Sequence, residues 1–156
     1  MSQCMQLRSD LVIPDHIEII DTNALYACQN ITGFECGVNS KLHTLGRYSL
    51  QLLSRCKYIV LSPSLTSIGD SALSGCVQVE NLTFLGETAP TIKSNSFGSD
   101  ANNWTGAKIQ NTTMYVPSNS TGYESDDWMV LYDESRTGTN SSNETCYGYF
   151  NLSKTL

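Results

Sequence analysis

Four times along this chain an aliphatic residue is followed, four places on, by a small residue and then a large apolar one. The segments are Ile20-x3-Ala24-Leu25, Leu45-x3-Ser49-Leu50, Ile68-x3-Ala72-Leu73 and Ile92-x3-Ser96-Phe97, recurring every 23 to 25 residues. A period of this length marks a solenoid, in which one repeat cannot bury its own apolar face and stability comes from stacking. That constraint decides the architecture before composition is considered.

A short strand precedes each segment. Leu11-Val12-Ile13, Phe34-Glu35-Cys36, Ile59-Val60-Leu61 and Leu82-Thr83-Phe84 read apolar-x-apolar, the period of a strand with one buried face. The outer two residues of each triplet face the core, and the middle one faces out. A second ladder, Cys28, Leu53 and Cys76, lies four residues after the small position and six before the next strand at all three places. Two registers that agree leave little room for coincidence.

Between strand and next apolar position the gap is four residues in Ile13–Ile17 and Leu61–Leu65 but six in Cys36–Leu42. The segment Gly37–Lys41 therefore carries a two-residue insertion, which a solenoid accommodates in a surface loop. Pro14 and Pro63 end their strands, since proline cannot donate to a ladder. Asp21 and Gly69-Asp70 stand where a polar residue can start one helical turn, and Ala24–Ala27 and Ala72–Gly75 are too short for more. Ala24, Ser49, Ala72 and Ser96 are small because neighbouring coils stack closely there.

After Phe97 the pattern dissolves. Residues 98–113 read as a long polar loop, and Thr113–Pro117 as a last strand closed by proline. Gly122-Tyr123 and Trp128–Tyr132 form an amphipathic stretch able to cover the open end of the stack. The expected organisation is an N-terminal cap segment over 1–9, a solenoid over 10–97, a C-terminal cap over 98–136, and a flexible linker with an apolar tail over 137–156.

The segment Leu65-Thr-Ser-Ile-Gly-Asp-Ser-Ala-Leu-Ser-Gly-Cys76 resembles the repeat of BspA-like leucine-rich-repeat surface proteins, in which Ile-Gly-x-x-Ala-Phe-x-x-Cys recurs. Leu11–Ile17 is similar to the strand-and-proline part of that repeat, and Ala89 through Tyr115, Tyr123 and Trp128 to its terminal cap. The resemblance implies a β-rich, right-handed leucine-rich-repeat solenoid of three to four repeats plus cap. It also implies a parallel concave sheet, short helical or irregular turns on the convex side, and a role in adhesion and protein binding. The second repeat departs from the pattern, with Ser49 for alanine and Leu53 for cysteine.

Chemistry is sparse. The charged fraction is 15%, well below the roughly 25% usual for globular chains, and the net charge is −6. Clustered Lys and Arg are missing, which disfavours nucleic acid and anionic membrane as partners. No apolar run is long enough to span a bilayer, and Met1–Asp10 shows no secretion signal. Cys28, Cys36 and Cys76 fall on inward positions, where a thiol acts as a small apolar residue. Cys4, Cys56 and Cys146 fall outside the ladder, and no Cys-x2-Cys pair suggests zinc. His16 and His43 have no nucleophile or orienting group beside them in the pattern, and read as surface histidines. The acids Glu124, Asp126, Asp127, Asp133 and Glu134 lack the spacing of a calcium loop. Eight Asn-x-Ser/Thr sequons, at Asn30, Asn81, Asn103, Asn111, Asn119, Asn140, Asn143 and Asn151, follow from abundant Asn and Thr rather than from glycosylation.

No enzymatic constellation and no cofactor or metal site is read, so the expected activity is binding. The candidate face is the outward side of the sheet: Val12, Glu35, Tyr58, Val60, Thr83 and Tyr115, flanked by Asp10 and Asn81. The expected partner is a protein, either a host surface protein met by an adhesin or an assembly neighbour met by a virion decoration or fibre protein. An extracellular surface or a virion is the expected location, and the C-terminal tail is a candidate for self-association.

Overall fold

The computed structural model describes residues 8–93, 95–98, 112–128 and 150–154, with backbone alone at 150–152. The expectations placed on residues 1–7, 99–111, 129–149 and 155–156 lie outside the described residues. These include the linker and both of the cysteines Cys4 and Cys146.

The backbone winds through three coils, each contributing one strand to a main sheet and a shorter one to a second sheet. The pairs are β1 (Leu11–Ile13) with β2 (Ile19–Ile20), β3 (Gly33–Cys36) with β4 (Thr44–Leu45), and β5 (Tyr58–Leu61) with β6 (Ser67–Ile68). Three further strands extend the main sheet: β7 (Asn81–Phe84), β8 (Thr112–Tyr115) and β9 (Phe150–Ser153). The main sheet runs β1-β3-β5-β7-β8-β9 and the second β2-β4-β6, and every pairing is parallel. This is a parallel-strand β-solenoid.

The register follows the sequence spacing. Leu11 pairs with Phe34, Phe34 with Ile59, and Ile59 with Leu82, which is the 23, 25, 23 offset of the triplets. Phe34, Cys36, Ile59, Leu61, Leu82 and Phe84 are buried, as is Ile13, while Leu11 on the first coil is half-buried. Cys28, Leu53 and Cys76 stack inside as the second ladder. A third column was not read from the sequence. Ile31, Cys56 and Val79 each lie three residues before a triplet and are buried. Cys56 is therefore a core thiol like the others, and its Sγ–H donates to the Tyr58 carbonyl at 3.1 Å.

The Gly37–Lys41 insertion is visible in the second sheet. Leu45 pairs with both Ile20 and Ile68 even though its coil is two residues longer on the way there. The extra length is pushed outward, leaving Val38 75% exposed. Ser40 at its end is buried, and its carbonyl accepts from Ser62 Oγ at 2.9 Å and Ser64 Oγ at 3.0 Å.

The third side of each coil is a run of β-turns rather than a helical turn. Ala24, Tyr26 and Cys28 N–H groups donate to carbonyls three residues back, whereas Asn23, Leu25 and Ala27 donate to Arg47, Ser49 and Gln51 of the next coil. Alternate amides thus serve the coil and its neighbour. The arrangement needs left-handed residues at fixed places: Asn23, Tyr48 and Ser71 in one column, Ala27, Leu52 and Gly75 in another. Stacking is closest where each coil leaves the second sheet. A Cβ on Gly46 would lie 2.7 Å from Thr22 N, and one on Gly69 2.8 Å from Arg47 N.

Beyond β6 the stack is closed by aromatic rings. Tyr123 and Trp128 are buried edge-on against Phe84, with centroids at 5.5 and 5.3 Å, and Trp128 also meets Phe97 at 5.9 Å. Trp128 Nε1 donates to the Pro90 carbonyl at 2.9 Å, so the indole is satisfied where it is buried. Phe150–Ser153, read from the sequence within an apolar tail, instead forms β9 in register with β8.

Candidate functional site

Because strand side chains alternate, the main sheet turns two rows of residues outward. One row is Val12, Glu35, Val60, Thr83, Tyr115 and Ser153, each directly opposite the next across the ladder. The other holds Gly33, Tyr58, Asn81 and Thr113. Val12 is 62% exposed, Glu35 is exposed, and Val60, Thr83 and Tyr115 are half-buried. The six candidate residues read from the sequence are thus brought onto one surface.

Tyr58 is the best-defined member of that surface. Its ring tip lies over Gly33, where an added Cβ would fall 2.3 Å from Tyr58 Cζ. Crossing the glycine brings the phenol to Asp10 on the first coil, and its hydroxyl donates to the carboxylate there. Thr32 Oγ1 donates to Asp10 Oδ1 at 2.6 Å. These two donors, Thr32 foremost and Tyr58 second, hold the Asp10 carboxyl below its usual range. The same hydrogen bond is the main reason that the Tyr58 phenol is pushed up to about 12, with desolvation and the charges of Asp10 and Glu35 adding to it. A sequence aligned on its 25-residue offset sets Gly33 beside Tyr58. That pairing of no side chain with a large one is the signal by which Gly33 and Thr32 are recognisable, and it was missed.

Elsewhere the surface offers little chemistry. His16 is exposed; His43 is half-buried with Nδ1 at 2.9 Å from Thr44 Oγ1. Among the described residues no three His, Cys, Asp or Glu side chains converge on a metal position, and no helix is long and apolar enough to cross a membrane. Asp133 and Glu134 lie outside the described residues. An open cleft between Pro63–Thr66 and Leu85–Ala89 is lined mainly by small side chains and backbone, with Glu87 its one charged group.

The family model for the BspA type leucine rich repeat region matches residues 2–122 in six copies. The chain belongs to the BspA-type leucine-rich-repeat family. That match spans every coil of the solenoid and the strand β8, so the outward rows from Val12 to Tyr115 fall within the repeat region. Among curated proteins, none matches the chain.

Proposed function

We propose that this BspA-type solenoid is a non-enzymatic protein-interaction module whose docking face is the outward side of the main sheet. The observation that carries the reading is the unbroken outward row from Val12 to Tyr115, which combines aliphatic, aromatic and acidic groups, exposed or half-buried, on a hydrogen-bonded support. Rigid presentation matters because a preformed surface loses little conformational entropy when it binds. The mix of apolar centre and polar flank is the composition of protein contacts rather than of catalytic clefts. Adhesion or surface binding, with a host surface protein as partner, is the function that this face serves best.

The test is affinity capture with the intact chain, comparing wild type with a Val12→Glu, Val60→Glu double variant of equal thermal stability. Capture of a protein by wild type and its loss in the variant is the expected result. Equal capture by both sinks this face as the docking surface.

A second reading is a structural component of a larger assembly, such as a bacteriophage virion decoration or fibre protein. It draws on β1 and β9, whose outer edges have no partner strand among the described residues, since an open edge is a template for a neighbouring chain. Light scattering across a wide concentration range tests it, and a single monomer mass throughout counts against self-assembly.

A further inference from the structure

The charge on the docking face is one-sided. Its outward rows carry the carboxylates of Glu35 and, in line with Gly33, Asp10, and no cation among the described residues. Over residues 8–45 the chain holds five acids and two bases, whereas 46–93 holds three acids and four bases. The nearby cations of the later coils are already engaged: Lys57 with Glu80 at 3.1 Å, Arg47 with Asp70 at 3.1 Å, and Arg55 with the Asn30 side-chain oxygen at 3.3 Å. Among the described residues, Asp10 and Glu35 are in no ion pair.

Tyr58 supplies the second half of the argument. Its ring lies on the sheet over Gly33 and close enough to both Asp10 and Glu35 to feel their charges. Asp10 is fixed in place by two donors, and a carboxylate with roughly four lone-pair sites still has acceptor capacity left. The molecule itself shows what such a set of groups holds. On the turn side, Arg47 sits with Cζ 4.4 Å from the centroid of the Tyr48 ring while its Nε reaches Asp70 Oδ2 at 3.1 Å. An aromatic ring flanked by a carboxylate is there occupied by a guanidinium; at Tyr58 the ring and two carboxylates have no cation paired with them among the described residues.

We propose, resting on the docking face argued above, that Tyr58 with Asp10 and Glu35 forms a seat for an arginine side chain of the protein partner. The guanidinium stacks on the ring and pairs with the carboxylates, which a planar, weakly hydrated cation does better than an ammonium. The acidic first coils also draw such a partner in from a distance, an effect that salt weakens.

The experiment measures binding of the intact chain to the capped peptide Ser-Arg-Val-Arg-Ser and to its citrulline counterpart, which keeps the shape and loses the charge. The arginine peptide is expected to bind more tightly, and less so in high salt. Glu35→Gln should weaken it about threefold and Tyr58→Ser about threefold to fivefold. Glu87→Gln, which removes one charge outside the sheet, should change it less than about 1.5-fold. Thermal melts establish that the variants are folded. Equal binding of the citrulline peptide, or equal losses in Glu35→Gln and Glu87→Gln, overturns the seat. If that happens while Val12→Glu, Val60→Glu still abolishes protein capture, the docking face survives and only the arginine assignment falls.

Discussion

The ring of Tyr58 occupies the space that a side chain on Gly33 would need, and by doing so it bridges the third coil to Asp10 on the first. One residue without a side chain thus permits a contact across two coil spacings. The consequence is a linked pair of titrations. Asp10 loses its proton more easily than an ordinary aspartate, and Tyr58 holds its proton more firmly than an ordinary tyrosine.

The signs fix the pH windows. The Tyr58 phenol is raised to about 12, so its stabilising contribution is complete below the ordinary 10.0 and is lost as pH climbs through about 12. Asp10 is lowered, so its contribution is present above the ordinary 3.8 and is lost as pH falls below it. Phenolate absorbance should show Tyr58 among the late tyrosines, beside Tyr123, whose phenol is pushed up by burial, and Asp10→Asn should return Tyr58 alone toward 10. Gly33→Ala should do the same by displacing the ring, with a stability loss of under about 1 kcal/mol because the atom met is the movable end of a side chain. An unchanged titration in both variants counts against the bridge.

A close approach of backbone to backbone behaves differently. At Gly69 an added Cβ meets Arg47 N and the Gly46 carbonyl carbon, both at 2.8 Å, and neither can swing away. Gly69→Ala should therefore cost about 2–3 kcal/mol in urea denaturation. Asp21 holds the same register position on the first coil, where no described coil lies beneath it, and its carboxylate accepts from Thr22 N at 2.6 Å. Asp21→Gly should cost no more than about 1 kcal/mol.

The strand positions were readable because the repeat states them, whereas the close approaches at Gly33, Gly46 and Gly69 were not read. Period-2 triplets fixed the main sheet and its register, and the offset of Leu42 exposed the insertion. The two-residue strands of the second sheet were not readable as strands, since Ile19-Ile20, Thr44-Leu45 and Ser67-Ile68 are too short to show a period. The turn conformations were hidden for another reason. Ala27, Tyr48 and Leu52 adopt positive φ although their side chains disfavour it, because the coil-to-coil amide ladder demands it. Phe150–Ser153 gave no sign of joining β8 because a partner strand so far along the chain leaves no local pattern. On the candidate face, the outward residues followed from alternation, but the Tyr58–Asp10 contact depends on a side-chain reach that alternation does not encode.

Two serines of one column make a prediction of opposite signs. Ser49 and Ser96 occupy the same small position, and both are buried. Ser96 Oγ lies 3.1 Å from the Ile68 carbonyl and 3.0 Å from that of Gly69, and it accepts from Lys93 N at 2.8 Å. Among the described residues, Ser49 Oγ has no hydrogen-bond partner. Ser49→Ala should raise stability by about 1 kcal/mol, because it removes a buried hydroxyl left unpaired. Ser96→Ala should lower it by about 1–2 kcal/mol, because it strands the groups that the hydroxyl served. Urea midpoints that move in the same direction for both would refute the distinction.

The thiols extend the same logic to alkaline pH. Burial pushes Cys36 and Cys56 up to about 11 and Cys76 up to about 12, and the thiolate is the reactive form. Iodoacetamide at pH 8 should therefore leave these three unmodified in the folded chain and label them in denaturant, which peptide mass spectrometry reads site by site. The unfolded chain releases each thiol proton near the ordinary 9.0, whereas the folded chain retains it. Their contribution to stability is thus complete below 9.0 and is lost as pH rises through about 11 to 12, over much the same window as Tyr58. The two causes separate by mutation: Tyr58→Phe removes the phenol's share of the alkaline loss, and Cys56→Ala removes one thiol's share. Rapid labelling of Cys76 at pH 8 without unfolding would show that the third coil opens to solvent, against the packing that places it fully inside.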